Sequence, residues 1–303
     1  QLSLGALEKG VPIAQRMDDN GVRSQIASMV LIADDVTHDR WQAVLDRVAA
    51  DRGVGPLVDG LMTAWALAGQ GDMTGALAAF EKVEGQRGLR GFALYHRSLA
   101  LAMVGDYEAA EAIYTDQKDG PLQMTRRGAM ARIEVLSQLG RNDKAIQLIE
   151  ALFGTDLDPA LAEMKQALEA GEELEFTHVR KASDGVAEVF YSVAAALRGE
   201  ASYDYTLLYS RTAEHLRRDH IDALLLSAEL LEDLQRPELA VETYRRVPHD
   251  NPAFHAAELG RAAALRTAGK DDAAIEVLAQ LAETHSDMPV VHATMGDFQR
   301  GLK

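Results

Sequence analysis

The sequence predicts an all-α fold, a solenoid of antiparallel helix pairs that stack along the chain. One position recurs at intervals of 30 to 35 residues through the 303-residue chain. The composition favours helix over sheet, because aromatic residues make up only 6% of the chain while alanine and leucine are abundant. A period of this length is typical of helical hairpins, which bury their apolar stripes by stacking on one another. The recurring positions are Gly10, Val44, Ala76, Ala110, Ala145, Phe176, Thr206, Ala240 and Ala274.

Residues 55–85 show how one repeat is built. Apolar residues at spacings of three and four predict a first helix, which ends at a glycine-rich turn containing Gly71. Asp72 is the predicted N-cap of the second helix. The second helix is expected to bury Ala76, whose small side chain lets the two helices approach, and Phe80, which fills the space where they diverge. The segment therefore predicts a helix–turn–helix unit that is incomplete without neighbours.

The same order of features predicts regular repeats over 55–153 and 221–289 and irregular ones over 1–54 and 154–220. The regular repeats are 55–85, 91–119, 121–153, 221–252 and 253–289.

The irregular stretches depart from the pattern in different ways. Residues 5–21 predict a lone second helix, and residues 22–52 keep the spacing. Around 174–184 the second helix is expected to be short or irregular, and residues 290–303 form an unpaired terminal helix. We therefore expect 1–303 to be a single solenoid domain that is part of a longer one.

These repeats resemble tetratricopeptide repeats, which place small residues in both helices, a Gly-Asp or similar turn between them and an aromatic residue late in the second. The resemblance implies a right-handed α/α superhelix of about eight to nine repeats. It also implies a concave groove, lined by the first helices, that binds a partner protein or peptide without a cofactor. The chain further resembles large tetratricopeptide proteins of alphaproteobacteria, many of them exported, which implies a bacterial multiprotein or envelope assembly and favours the periplasm or envelope over the cytoplasm.

Charge and motifs exclude several classes of function. The net charge of −16 argues against nucleic-acid binding, which needs a basic face. The absence of cysteine excludes disulfides and thiolate metal sites. No catalytic motif is present, and the glycines at 69–75 fit an inter-helix turn better than a phosphate loop. His215 and His220 are five residues apart, which does not place them on one helical face for a metal. We therefore predict no enzyme activity, no cofactor and no metal.

The first helices supply the candidate binding residues. Groove-facing positions lie one residue after the small packing residue or one turn before it. Aromatic side chains there, combined with isolated charges, are suited to anchoring a peptide. An alternative is that the aromatic residues only pack between neighbouring repeats. The candidate groove contacts are Trp65, Tyr95, Arg127, Glu134, Tyr191 and Glu229.

Three functions remain open from the sequence. The leading one is a non-catalytic scaffold that binds a peptide or partner protein in its groove. The second is a substrate-presenting arm of an enzyme whose catalytic domain lies outside these residues. The third is self-association, although the sequence slightly favours a monomer.

Overall fold

The computed structural model describes residues 4–115, 124–285 and 288–301, and within these it is all-helical, with no strand. The predicted all-α helical-repeat fold is confirmed. The helices are α1 Leu7–Asp19, α2 Gln25–Thr37, α3 Trp41–Ala49, α4 Pro56–Gly69, α5 Met73–Glu84, α6 Arg90–Met103, α7 Tyr107–Thr115, α8 Arg126–Gln138, α9 Asn142–Phe153, α10 Pro159–Glu169, α11 Ala182–Leu197, α12 Tyr203–Leu216, α13 Ile221–Asp233, α14 Pro237–Tyr244, α15 Phe254–Thr267, α16 Asp271–Thr284 and α17 Pro289–Gly301.

The regular repeats are consecutive helix pairs, and each helix packs on the next one in the chain. The pairs are α4–α5, α6–α7, α8–α9, α13–α14 and α15–α16, and both α5 with α6 and α7 with α8 are in contact. First helices also contact each other directly, α4 with α6 and α6 with α8. Residues 116–123, which belong to the predicted repeats 91–119 and 121–153, lie outside the described residues.

The turn between α4 and α5 has the predicted local chemistry. Gly71 adopts φ +84°, which an L side chain rarely adopts. The Asp72 carboxylate accepts a hydrogen bond of 2.8 Å from the Gly75 backbone N–H and so caps α5. Ala76 and Phe80 are fully buried, as the pattern predicts for the packing side of the second helix.

The repeat is interrupted after α10. Residues 172–181 form no helix, and α11 begins at Ala182, so α10 has no following second helix of its own. Phe176 lies in this non-helical segment, whereas Thr206 is buried within α12. The first helices of the next pairs then resume at α11 and α13.

The chain forms two compact units. The N-terminal unit comprises 7–192 together with 215–217, and the C-terminal unit comprises 193–214 and 218–303 together with the described residues of 1–6. Helix α11 begins in the first unit and ends in the second. The expectation of one continuous solenoid over 1–303 concerns how these units join, and it stays a prediction.

Candidate functional site

The first helices of three successive repeats present a common surface in the N-terminal unit. Because α4 contacts α6 and α6 contacts α8, side chains one above another on these helices form a continuous row. We call the surface that carries Trp65, Tyr95, His96 and Arg127 the first-helix face. The beginning of α11 lies across it, although α11 is 61 to 120 residues away from these positions in sequence.

Trp65 marks the closest approach of α11 to this face. Its indole is fully buried and meets Phe80 edge-on, with ring centroids 5.7 Å apart. A Cβ atom on Gly185 would lie 2.3 Å from the indole carbon Cδ2, so only glycine lets the α11 backbone approach this closely. Helix α11 therefore docks against the ring through a position that has no side chain.

A buried chain of hydrogen bonds through His96 joins α4, α6 and α11. The Trp65 Nε1–H donates to His96 Nδ1 at 3.1 Å, and His96 Nε2 lies 3.1 Å from Ser192 Oγ. Since an indole nitrogen can only donate, Nδ1 must be the acceptor and the neutral ring carries its proton on Nε2. Ser192 passes the chain on to the Val189 carbonyl at 3.2 Å. Burial lowers the pKa of His96 to about 4, against a smaller opposing effect of the Glu188 charge.

A fully buried carboxylate on α11 is held by two groups of the first-helix face. Arg127 Nε donates to both oxygens of Glu188, at 2.9 and 2.8 Å, and the Tyr95 hydroxyl donates to Oε1 at 2.8 Å. Burial and the Glu188 charge raise the pKa of Tyr95 well above its usual value, so the hydroxyl remains a donor. The Arg127 guanidinium also lies over the Tyr191 ring, 5.6 Å from its centroid. Charge, hydrogen bonds and an aromatic contact thus converge on one arginine.

Further along α8, Glu134 binds the non-helical segment that precedes α11. Its carboxylate accepts from the Thr177 backbone N–H at 2.9 Å, from the Thr177 hydroxyl at 2.8 Å and lies 2.8 Å from His178 Nδ1. Burial alone would raise the pKa of Glu134, but the interactions with His178 and Thr177 outweigh it and hold the pKa below its usual value. Arg217 donates to the carbonyl oxygens of Thr177, at 3.1 Å, and of His178.

Main-chain atoms of the same segment are held by polar side chains at the end of α8 and the start of α9. Ser137 Oγ accepts from the Leu174 N–H at 2.8 Å, and Gln138 donates to the Leu174 carbonyl at 2.7 Å. Asn142 donates to the Glu172 carbonyl at 2.9 Å. These contacts are made to main-chain atoms, so they do not depend on the side chains of the segment. They hold the segment in place where α10 has no second helix to pair with.

The sixth predicted contact lies elsewhere. Glu229 is on α13 in the C-terminal unit, where it pairs with Arg198 at 2.6 Å, and 41% of its side chain is exposed.

The structure therefore brings four of the six predicted residues together. Trp65, Tyr95 and Arg127 lie on the first-helix face, and Tyr191 lies on the helix that covers it. Glu134 binds the neighbouring segment, and Glu229 belongs to the C-terminal unit. In this structure the partner of these side chains is the chain itself, and their role toward another protein stays a prediction.

Three residues on α11 and the histidine that contacts one of them are not predicted from the sequence. Gly185, Glu188 and Ser192 lie at spacings of three and four, which only marks one side of a helix. His96 adjoins Tyr95 on α6. The one available signal was the interrupted repeat, which indicates an irregular contact without naming its residues.

Other kinds of site find no support in the described part of the chain. No group of three or more histidine, aspartate or glutamate side chains there is arranged to hold a metal ion. Nor does any helix among the described residues combine the length and apolar character needed to cross a bilayer.

The close approach at Gly185 gives a direct test of this packing. Gly185→Ala is expected to lower the free energy of unfolding by about 1–3 kcal/mol, because the added methyl group would overlap a rigid indole. Gly91→Ala is the matched control, since Gly91 also lies near the start of a helix but a Cβ there meets no atom within 4 Å. Urea unfolding followed by circular dichroism distinguishes the two. Equal stability of both variants would contradict the docking of α11 on Trp65.

A family model agrees with the repeat assignment. Residues 222–253, which cover all of α13 except its first residue and all of α14, match the model described as tetratricopeptide repeat. Among solved structures, the chain is similar to the assembly chaperone of RpL4 (Acl4, residues 1–338), with 17% sequence identity, a TM-score of 0.32 and coverage of 82% of this chain and 97% of that one. A sequence comparison with curated proteins gives no match.

Proposed function

We propose that this tetratricopeptide-repeat chain is a non-catalytic scaffold that binds a partner protein through the first helices of its repeats, within a bacterial multiprotein or envelope assembly. A tetratricopeptide repeat among stacked helix pairs supports a protein-interaction role, because such folds offer extended concave surfaces for binding.

The observation that carries the proposal is the chemistry of the first-helix face. Its side chains hold a helix that is distant in sequence, with an arginine contact to both oxygens of Glu188. At the adjoining end of α8, Ser137 and Gln138 bond to peptide backbone. These contacts support a partner that presents a helix or an extended peptide.

In the C-terminal unit the corresponding position is Glu229. It belongs to the repeat that matches the family model, and its side chain is partly exposed. A basic side chain of a partner that binds this unit would contact Glu229 by replacing Arg198, which is 2.6 Å from its carboxylate.

Site-specific crosslinking tests the proposal. A photo-crosslinking phenylalanine analogue is placed at position 229 on the first helix α13 or, as a control, at position 242 on the second helix α14, where Glu242 is 67% exposed. Both proteins are irradiated in extract of the source cells, and the products are identified by mass spectrometry. We expect one partner to be crosslinked from position 229 and not from position 242.

Two outcomes contradict this expectation. Crosslinks that are equal at both positions indicate contact without a preferred face. Crosslinks to a second copy of the same chain at position 229 indicate self-association in place of a scaffold for another protein.

A further inference from the structure

We propose that residues 172–192 are a built-in competitor for the first-helix face, and that a partner helix carrying a carboxylate binds α4, α6 and α8 by taking their place. The inference rests on the proposed function and specifies the chemistry of the partner.

The contacts of α11 define what the face accepts. A glycine must lie against Trp65, as Gly185 does, because even a Cβ atom would overlap the indole. One turn later a carboxylate must reach Arg127 and Tyr95, as Glu188 does at 2.8 Å from each. A further turn on, a hydroxyl faces His96. The fitting partner is therefore a helix with a glycine, an acidic residue three positions later and serine or threonine four positions after that.

Polar groups within both surfaces favour exchange, although apolar residues of α11 such as Val186 and Phe190 are buried as well. A helix that is permanently buried is served at least as well by apolar side chains as by a buried ion pair, because desolvating the charges offsets their attraction. Here α11 presents Glu188 and Ser192, and the face presents Arg127 and Tyr95. All four are groups that water can solvate when the surfaces separate.

The segment that leads into α11 is suited to being released. Residues 172–175 are wholly or partly exposed and non-helical, and they are held by side-chain bonds to their backbone. Every peptide carries the same backbone groups, so an incoming chain can make the same bonds to Ser137 and Asn142. Releasing this segment requires no helix to unwind.

Release of α11 itself is a rare event. Residues 182–190 are all buried, so the closed state, in which α11 covers the first-helix face, dominates in the absence of a partner. In the open state α11 has left this face. A ligand shifts such an equilibrium only by binding the open state more tightly, and its apparent affinity falls by the fraction of open molecules. A change that weakens the closed state should therefore strengthen partner binding.

The 303-residue protein and a fluorescent peptide of residues 172–197 provide the test. Gly185→Ala in the protein disturbs α11 but leaves every residue of the first-helix face unchanged. Fluorescence anisotropy should show the unaltered peptide binding the Gly185→Ala protein at least about tenfold more tightly than it binds the wild type or the Gly91→Ala control. A peptide with Glu188→Lys should bind none of the three.

Two results with the Gly185→Ala protein would contradict the competitor role of residues 172–192. If the variant keeps its helix content yet does not bind the peptide, the role is wrong. If that variant loses its helical structure, α11 is an integral part of the core and the role is also wrong.

Hydrogen exchange of the wild type adds an independent measure: backbone amides of 183–192 should exchange faster than those of α6 and α8, and equal rates overturn the proposal. None of these results affects crosslinking from position 229, so failure here can be distinguished from failure of the scaffold role.

Discussion

Replacing Arg127 by alanine is expected to lower the free energy of unfolding of the N-terminal unit by about 3–5 kcal/mol. The loss is large because Glu188 is fully buried and would lose the guanidinium that contacts both of its oxygens. Removing one partner of a buried pair leaves a charge without compensation. Urea unfolding at neutral pH, followed by circular dichroism, measures the shift.

A second variant separates the cost of a stranded charge from the value of the pair. Replacing both members, Arg127→Met with Glu188→Met, removes the charges together and should recover most of the stability, because apolar side chains of similar size often replace buried ion pairs at little cost. Arg245→Ala is the surface control, since Arg245 and Glu242 are more than half exposed and three residues apart. It should leave the unfolding midpoint unchanged. A double variant as unstable as Arg127→Ala would show that the pair itself, and not the unpaired carboxylate, determines the effect.

The repeats could be predicted from the sequence because their determinants are local. A glycine turn, an N-cap and a small residue on the packing side all lie within one segment such as 55–85, and each acts over three to four residues. Because these determinants are local, the predicted N-cap at Asp72 and the predicted burial of Ala76 and Phe80 are confirmed. The family match at 222–253 confirms a repeat in which Pro237 begins a helix.

The covering of the first-helix face could not be predicted in the same way. Tyr95 and Arg127 were recognised from their positions relative to small packing residues, but their partner Glu188 is 93 and 61 residues away. No spacing rule connects groups at such distances, because the contact depends on where the chain turns after α10. The sequence indicates that the repeat is interrupted there, but the return of residues 172–192 onto the first helices is evident only in the structure.

Acid should weaken the N-terminal unit through His96. Its pKa is about 4 in the folded protein, compared with 6.5 when unperturbed, so between these values the unfolded chain binds a proton that the folded chain does not. The stability that His96 contributes is therefore complete above pH 6.5 and is lost as the pH falls toward 4. A difference of this size corresponds to roughly 3 kcal/mol in total, or about 1.4 kcal/mol for each pH unit. Urea unfolding at pH 7, 6 and 5 should show the decline.

Structural chemistry explains why the proton is excluded. Protonating His96 would place a hydrogen on Nδ1, where the Trp65 N–H already points, and would bury a cation, which burial disfavours more than the Glu188 charge favours it. His96→Gln keeps a donor and an acceptor without titrating, so its stability should fall less steeply over the same range. The pKa of Glu134 lies below its usual value of 4.5. The stability that Glu134 contributes is therefore lost only at a pH below the range used to measure the effect of His96. Parallel pH profiles for the wild type and His96→Gln would show that His96 is not the group responsible, whereas a flatter profile for the variant assigns the acid sensitivity to the junction of α4, α6 and α11.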